Sequence, residues 1–222
     1  MRKYLYFAAA AASAAIVALP AISAEAAVTR VLTTGKVGGP AVRSGAVLKA
    51  NLVKGSSAVF SLGTGTIKLT CTSASFSATV RSNPAKPGTA TESLTALNVA
   101  KCTVSGFQGL TFKSLKFKNL PYKVTVSDAT GFPVKVSEQS TTMPLKFTAT
   151  VKLNGNAFSC SYKAASAAGQ ASNTGNMVAF SKQKFTKAAG SSSACLGPAF
   201  FSAAFGPVRD TSVTNSPKVF VN

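Results

Sequence analysis

The alternation of apolar and polar residues is most regular in residues 145–163. From Leu145 to Leu153 every second residue is apolar and those between are Lys or Thr, the period-two pattern of a strand with one buried face. Asn154 and Gly155 follow, and this dipeptide favours a two-residue hairpin turn because both positions need a positive φ. The predicted hairpin places the apolar positions of its two strands opposite each other: Val151 with Phe158, Ala149 with Cys160, and Phe147 with Tyr162.

Similar short alternating segments recur along the rest of the chain. They are separated by turn residues at the spacing typical of all-β proteins, roughly 8–12 residues, and no segment has the pattern of an amphipathic helix. The pattern predicts an all-β fold, an antiparallel β-sandwich of the immunoglobulin-like type or larger. Two small tandem β-sandwiches are the alternative. Residues 164–175 are small and polar and predict a flexible connection rather than a strand.

The first 26 residues have the pattern of a secretory signal peptide. Arg2 and Lys3 precede an apolar run and the small-residue sequence Ala24-Glu25-Ala26. Cleavage after Ala26 is the first choice and cleavage after Ala24 the alternative. Residues 27–222 then form the predicted single β-sandwich domain, without a transmembrane segment. The predicted location is secreted, either extracellular or associated with the cell wall.

Four cysteines follow the predicted signal peptide, an even number that indicates disulfides in an exported chain. Three connectivities are possible. The sequential one, Cys71 with Cys102 and Cys160 with Cys195, closes the shorter loops and is preferred. Each bond contributes about 3–4 kcal/mol in the loop-entropy description. A metal site is not predicted, because the chain has no C-x-x-C motif and no histidine.

The charge balance of the chain is strongly positive. It has 24 basic and 5 acidic residues, and removing Arg2, Lys3 and Glu25 changes the net charge from +19 to +18. Most basic residues are Lys, which favours diffuse attraction to polyanions over a shaped anion site. The predicted partners are cell-wall or other extracellular polyanions. The candidate polyanion-binding residues are Lys113, Lys116, Lys118, Lys146, Lys152 and Lys163.

The sequence has few residues of the types that serve as catalytic acids and bases. The absence of histidine excludes Ser-His-Asp and Cys-His catalysis. The acids that remain after signal cleavage, Glu92, Asp128, Glu138 and Asp210, form no recognisable motif. The sequence therefore predicts a non-catalytic structural or binding protein without a cofactor. The alternative function is a secreted small-molecule carrier or inhibitor with an apolar cleft lined by Phe200, Phe201 and Phe205.

Several phrases of the sequence occur together in one group of proteins. They include Asn119-Leu-Pro-Tyr122, the segment from Val126 to Gly131, the segment from Phe180 to Phe185 and the closing Val219-Phe-Val-Asn222. With the four cysteines, they resemble an uncharacterised family of secreted actinobacterial β-proteins that contain disulfides. The resemblance covers most of the chain after the predicted signal peptide. It implies secretion and a disulfide-linked β-fold, and it carries no known activity or binding residues.

Overall fold

The computed structural model describes residues 28–222, and the predicted signal peptide lies outside them. Fifteen strands occur in this range, and the prediction of an all-β fold is confirmed. No helix capable of spanning a membrane is found between residues 28 and 222. The strands are β1 Leu32–Thr34, β2 Val47–Asn51, β3 Ala58–Leu62, β4 Ile67–Ser82, β5 Thr89–Ser105, β6 Leu110–Lys118, β7 Tyr122–Ser127, β8 Pro133–Ser137, β9 Leu145–Leu153, β10 Asn156–Ala164, β11 Ser166–Ser172, β12 Met177–Lys187, β13 Ala199–Phe205, β14 Arg209–Asp210 and β15 Val219–Val221.

Eight of these strands form a closed ring. We call the half of the molecule in which this ring surrounds Phe76 and Leu94 the barrel end. The order of the strands in the ring is β11, β8, β7, β5, β4, β3, β13 and β12, and β12 pairs with β11 to complete the circuit. All these pairings are antiparallel. The two-sheet sandwich expected from the turn spacing therefore does not describe the whole chain. A closed ring leaves no free strand edge within the circuit, which an open sheet would have.

The other half of the molecule is what we call the disulfide end, and it includes β3 and the halves of β4 and β5 that carry Cys71 and Cys102. Here β12 continues into β10, β9 and β6. This layer packs against β3, as the 5.0 Å distance between the ring centroids of Phe60 and Phe147 shows. Phe201 and Phe185 extend the same aromatic cluster. The cluster lies between the two ends of the molecule, because its members line cavities on both sides.

The hairpin predicted from residues 145–163 is confirmed in its register. Val151 pairs with Phe158 and Phe147 pairs with Tyr162. Asn154 and Gly155 form the loop with φ values of 48° and 88°, as this turn requires. The sequence was sufficient to predict this hairpin, because the Asn154-Gly155 turn and the alternation of the two strands specify the same register.

Both disulfides lie in the disulfide end and follow the sequential connectivity. Cys71 on β4 is bonded to Cys102, which is its direct partner on β5. Cys160 on β10 is bonded to Cys195 in the loop before β13, and both residues are buried. Disulfides are typical of proteins in oxidising compartments. Among the described residues, the barrel end has no covalent cross-link of this kind.

Strand β11 corrects the expectation that residues 164–175 are a flexible connection. It pairs with β8 on one side and with β12 on the other, so it is the strand that closes the ring. Small residues are required there because Phe180 packs closely over it. A Cβ at Gly169 would lie 2.7 Å from the Phe180 ring and 2.7 Å from the carbonyl oxygen of Ala179. Residues of low strand propensity occur in this segment because the packing is tight, and the segment is a strand rather than a flexible connection.

A two-stranded ribbon of β1 and β15 contributes to the wall of the barrel cavity. Asparagine side chains hold it in place. Asn173 donates to the carbonyl oxygen of Val221 at 2.7 Å and accepts from its amide at 2.9 Å. Asn83 makes the same pair of bonds to the backbone of Leu32, each at 2.8 Å. Hydrogen bonds therefore fix the ribbon where no disulfide does.

Candidate functional sites

The structure gathers all six candidate polyanion-binding lysines on three neighbouring strands. Lys118 on β6, Lys146 on β9 and Lys163 on β10 are directly paired, so they form one row across the sheet. Adjacent strands lie about 5 Å apart, which sets the spacing within this row. Lys116 and Lys152 stand on the same strands, and Lys113 occupies a bulge of β6. We call this outer surface of β6, β9 and β10 the lysine face.

Hydroxyl groups fill the positions between the lysines. Thr148 pairs with Ser161, and their side-chain oxygens are 2.8 Å apart. Thr150 and Ser159 form a similar pair at 3.0 Å. The lysine face therefore combines ammonium groups with hydrogen-bonding hydroxyls. Lys146 and Lys152 are half-buried, whereas the other four lysines are exposed.

None of the four described carboxylates belongs to β6, β9 or β10. Asp128 lies in the turn between β7 and β8, where its two oxygens accept from the Gly88 amide at 3.1 and 3.0 Å. Asp210 is buried and accepts from the amide of Ser212 at 2.9 Å. Like charges directly opposite each other in a sheet are destabilising. The lysine row thus retains a repulsion that an anionic partner would relieve.

A second candidate site is the interior of the barrel end. It contains a cavity of about 120 Å³ lined almost entirely by apolar side chains. The side chains from seven of the eight ring strands contribute to its wall, and the ribbon of β1 and β15 adds Leu32, Val219 and Val221. Eight-stranded barrels have interiors that are either filled by side chains or able to hold one small ligand.

Two of the three phenylalanines predicted to line an apolar cleft border this cavity. Phe201 and Phe205 point inward from β13 and are buried. Phe200 does not line this cavity, contrary to the prediction. It alternates with Phe201 and lies on the outer face of the strand, where it pairs with Lys184 and Ser61. Period-two geometry does not allow neighbouring residues of a regular strand to share a face.

Glu92 is the one carboxyl group that lines the cavity among the described residues. It lies on β5 between the buried residues Ala90 and Leu94 and is itself only 8% exposed. Its direct neighbours across the sheet are Val80 on β4 and Val124 on β7. An ionisable group thus occupies a position in the barrel wall where its neighbours are valines.

Burial in this apolar wall raises the pKa of Glu92 from 4.5 to about 7. Loss of hydration disfavours the charged form, and neither a hydrogen bond nor a nearby charge counteracts it. Within residues 28–222, no protein group donates to the Glu92 carboxyl, and Glu92 lines the cavity, so this carboxyl has no hydrogen-bond partner within the described protein.

Two other ionisable residues border the same cavity. Tyr122 donates its hydroxyl to the carbonyl oxygens of Lys118 and Lys146 and accepts from the Lys146 amide at 3.0 Å. Burial raises the pKa of Tyr122, while its hydrogen bond with Lys146 opposes the shift. Lys146 lies between the inward-facing residues Leu145 and Phe147, so its side chain belongs to the outer, lysine face. The carboxyl of Glu92 therefore remains as a polar group of the cavity that no hydrogen bond within the described protein engages.

The disulfide end contains a second apolar cavity, also of about 120 Å³. Two exposed side chains border it, Phe107 at 50% and Leu196 at 47%. Tyr162 is part of its wall and donates its hydroxyl to the carbonyl oxygen of Leu196. No charged residue lines this cavity within the described range, which distinguishes it from the cavity of the barrel end.

The sequence around Glu92 contains a pattern that indicates a buried position for this residue. A strand that started at Glu92 would leave this residue at a boundary, whereas β5 begins at Thr89. With the earlier start, Ala90, Glu92 and Leu94 occupy alternating positions of one buried face. An acid in register with apolar residues is a conflict that indicates a functional position.

Comparison with known proteins adds no family to this picture. No protein-family model, curated protein or solved structure matches the chain. The resemblance to secreted actinobacterial β-proteins stays a prediction. Residues 28–222 also contain no group of three or more side chains that could hold a metal ion.

Proposed function

We propose that the protein is an exported, non-catalytic binding protein that associates with phosphate- or carboxylate-rich polymers of the cell envelope through its lysine face. The signal-peptide pattern of residues 1–26 and the two disulfides support export. The observation that carries the binding role is the direct pairing of Lys118, Lys146 and Lys163 on three strands that have no carboxylate.

The arrangement of this surface suits a polymer better than a single small anion. Exposed lysines are hydrated point charges that attract anions without a fixed geometry. Several of them at regular spacing engage successive charges of a polymer and release its counterions, so binding should weaken steeply as salt increases. Lysines on β6, which ends the path of paired strands, also discourage pairing with the edge of another sheet.

Retention on immobilised inorganic polyphosphate across a salt gradient tests this function. We expect retention at low salt and about tenfold weaker affinity in the triple variant Lys118→Gln, Lys146→Gln, Lys163→Gln, because exposed charge contacts contribute about 0.5 kcal/mol each. The matched control is Lys36→Gln, Lys54→Gln, Lys86→Gln, which removes the same charge from exposed positions outside β6, β9 and β10. Equal weakening by both triples, or no retention of the wild type at low salt, would contradict the proposal.

A second candidate function is a carrier of a small apolar molecule. The observation that favours it is the cavity of about 120 Å³ inside the barrel end. Apolar cavities of similar size, about 150 Å³, remain dry and bind molecules such as benzene. Xenon or benzene titration followed by the methyl resonances of Val124 and Val136 tests this role. Saturable shifts of these methyl groups support a carrier, and their absence rejects it.

A further inference from the structure

The burial of Glu92 in an apolar wall lowers the stability of the folded state. A carboxyl group that is removed from water without a hydrogen-bonding partner destabilises the folded state, and a valine at the same position would avoid this penalty. Its neighbours Val80, Val124 and Val136 show that the ring accepts valine at this level. A buried ionisable group that faces accessible space is a candidate for binding rather than for stability.

The other polar side chains around the cavity are already engaged. Asn173 makes two hydrogen bonds to Val221, and the Asn176 side chain donates to the carbonyl oxygen of Val219 at 3.1 Å. The Tyr122 hydroxyl is held by the backbone of Lys118 at the end of β6 and of Lys146 near the start of β9. A molecule inside the barrel therefore meets one free polar group, the carboxyl of Glu92, and otherwise apolar walls.

We propose that Glu92 anchors a small apolar amine inside the barrel end. This inference rests on the carrier function described above and specifies its ligand. The apolar body of the ligand would lie against the valines and phenylalanines of the wall. Its N–H group would donate to the Glu92 carboxylate, whose oxygens only accept hydrogen bonds when ionised.

Charge and size both support this class of molecule. The pair of an ammonium group and a carboxylate is neutral as a whole, so the apolar wall does not surround an isolated charge. A small carboxylic acid would instead place two acids together, which is unfavourable when both ionise. The cavity volume of about 120 Å³ limits the ligand to one ring or a short aliphatic chain.

The test compares cyclopentylamine with methylcyclopentane, which has the same shape but lacks the donor. Binding is followed by the methyl resonances of Val124, Val126 and Val136, which line the cavity, at pH 8. In the wild type we expect cyclopentylamine to bind at least tenfold more tightly than methylcyclopentane. In Glu92→Gln and in Glu92→Leu this preference should fall below about threefold, while methylcyclopentane still binds. The two variants keep the test valid if one of them does not fold.

Each outcome bears on a different part of the inference. If both probes bind equally to the wild type, or if the amine preference survives in both variants, Glu92 is not the anchor, although the carrier function stands. If neither probe shifts these methyl resonances, the carrier function fails as well. At pH 5 the amine preference should also decrease, because Glu92 is then protonated. Tyr122 and Lys146, the other ionisable residues at the cavity, should not account for this change, since the Glu92 variants remove it.

Discussion

The two ends of the molecule use different means to enclose apolar space. The disulfide end is cross-linked by both Cys71–Cys102 and Cys160–Cys195, and its cavity is lined without charged residues. The barrel end has a closed ring of strands and a ribbon held by asparagine side chains, and its cavity contains Glu92. Covalent links fix a surface permanently, whereas individual hydrogen bonds contribute about 1 kcal/mol and can open. The two ends therefore differ in what must break before they open: covalent bonds at the disulfide end and hydrogen bonds at the barrel end.

The largest expected effect comes from breaking the disulfide end. Replacing Cys160 and Cys195 by Ala should lower the free energy of unfolding by about 3–4 kcal/mol, because the bond constrains a long loop of the unfolded chain. The sequence separation of 35 residues sets this value. Denaturant unfolding of the variant and the wild type measures it. Unchanged unfolding after substitution of this pair would show that the disulfide end does not depend on the bond between Cys160 and Cys195.

The next effect concerns Glu92 and the pH dependence of stability. Between pH 4.5 and about 7 the unfolded chain loses the Glu92 proton while the folded protein keeps it, so the free energy of unfolding falls as the pH rises. The loss from this group is absent below pH 4.5 and complete above pH 7, where it amounts to about 3 kcal/mol. Glu92→Gln should therefore be more stable than the wild type at pH 8 but not at pH 4.

Denaturant unfolding across this pH range measures the difference between Glu92→Gln and the wild type. Glu138→Gln is the charge-matched control, since Glu138 follows β8 and does not line the cavity. It should retain the wild-type profile between pH 5 and pH 8. A Glu92→Gln profile parallel to that of the wild type would indicate that the carboxyl is hydrated or already paired.

Closure of the ring can be tested at Gly169. A Cβ at this position would meet both the Phe180 ring and the Ala179 carbonyl oxygen at 2.7 Å, so Gly169→Ala should destabilise the protein by about 2 kcal/mol. Adding Phe180→Leu should restore only part of this loss, because the contact with the backbone of Ala179 remains. Full stability of Gly169→Ala would mean that β11 and β12 are less closely packed than the structure indicates.

The smallest expected effect is on the ribbon. Asn173→Ala removes two hydrogen bonds to the backbone of Val221 and should lower the free energy of local opening by about 1–2 kcal/mol. Hydrogen exchange of the Val221 amide should accelerate, while exchange in β9 and β10 should not change. Equal acceleration in both places would mean that the ribbon and the hairpin of β9 and β10 open together.

The sequence was most informative where one local pattern determined the structure. The hairpin of β9 and β10 follows from alternation and from Asn154-Gly155. The outward direction of each lysine also follows from alternation, but the lysine row does not. It depends on the pairing of β6 with β9, and residues 119–144 separate these strands along the chain. Alternation specifies which face a residue occupies, and it does not specify which strand lies beside it.

The barrel was missed for a related physical reason. Its closing strand β11 consists mainly of Ala, Ser and Gly, which have little strand propensity on their own. They are suitable because the Phe180 ring fills the space that larger side chains would occupy. Tertiary packing therefore overrides local propensity at the position that decides between an open sheet and a ring.

The ribbon has a mechanical consequence. In the antiparallel pair, Leu32 lies opposite Val221 and Thr34 lies opposite Val219. A force that pulls the backbone before Leu32 away from the backbone after Val221 acts on one end of the pair, so its hydrogen bonds are loaded one after another rather than together. Such peeling needs less force than shearing the same bonds at once. Tension applied through these two segments would separate the ribbon first and uncover the interior of the barrel while the cross-linked end stays intact.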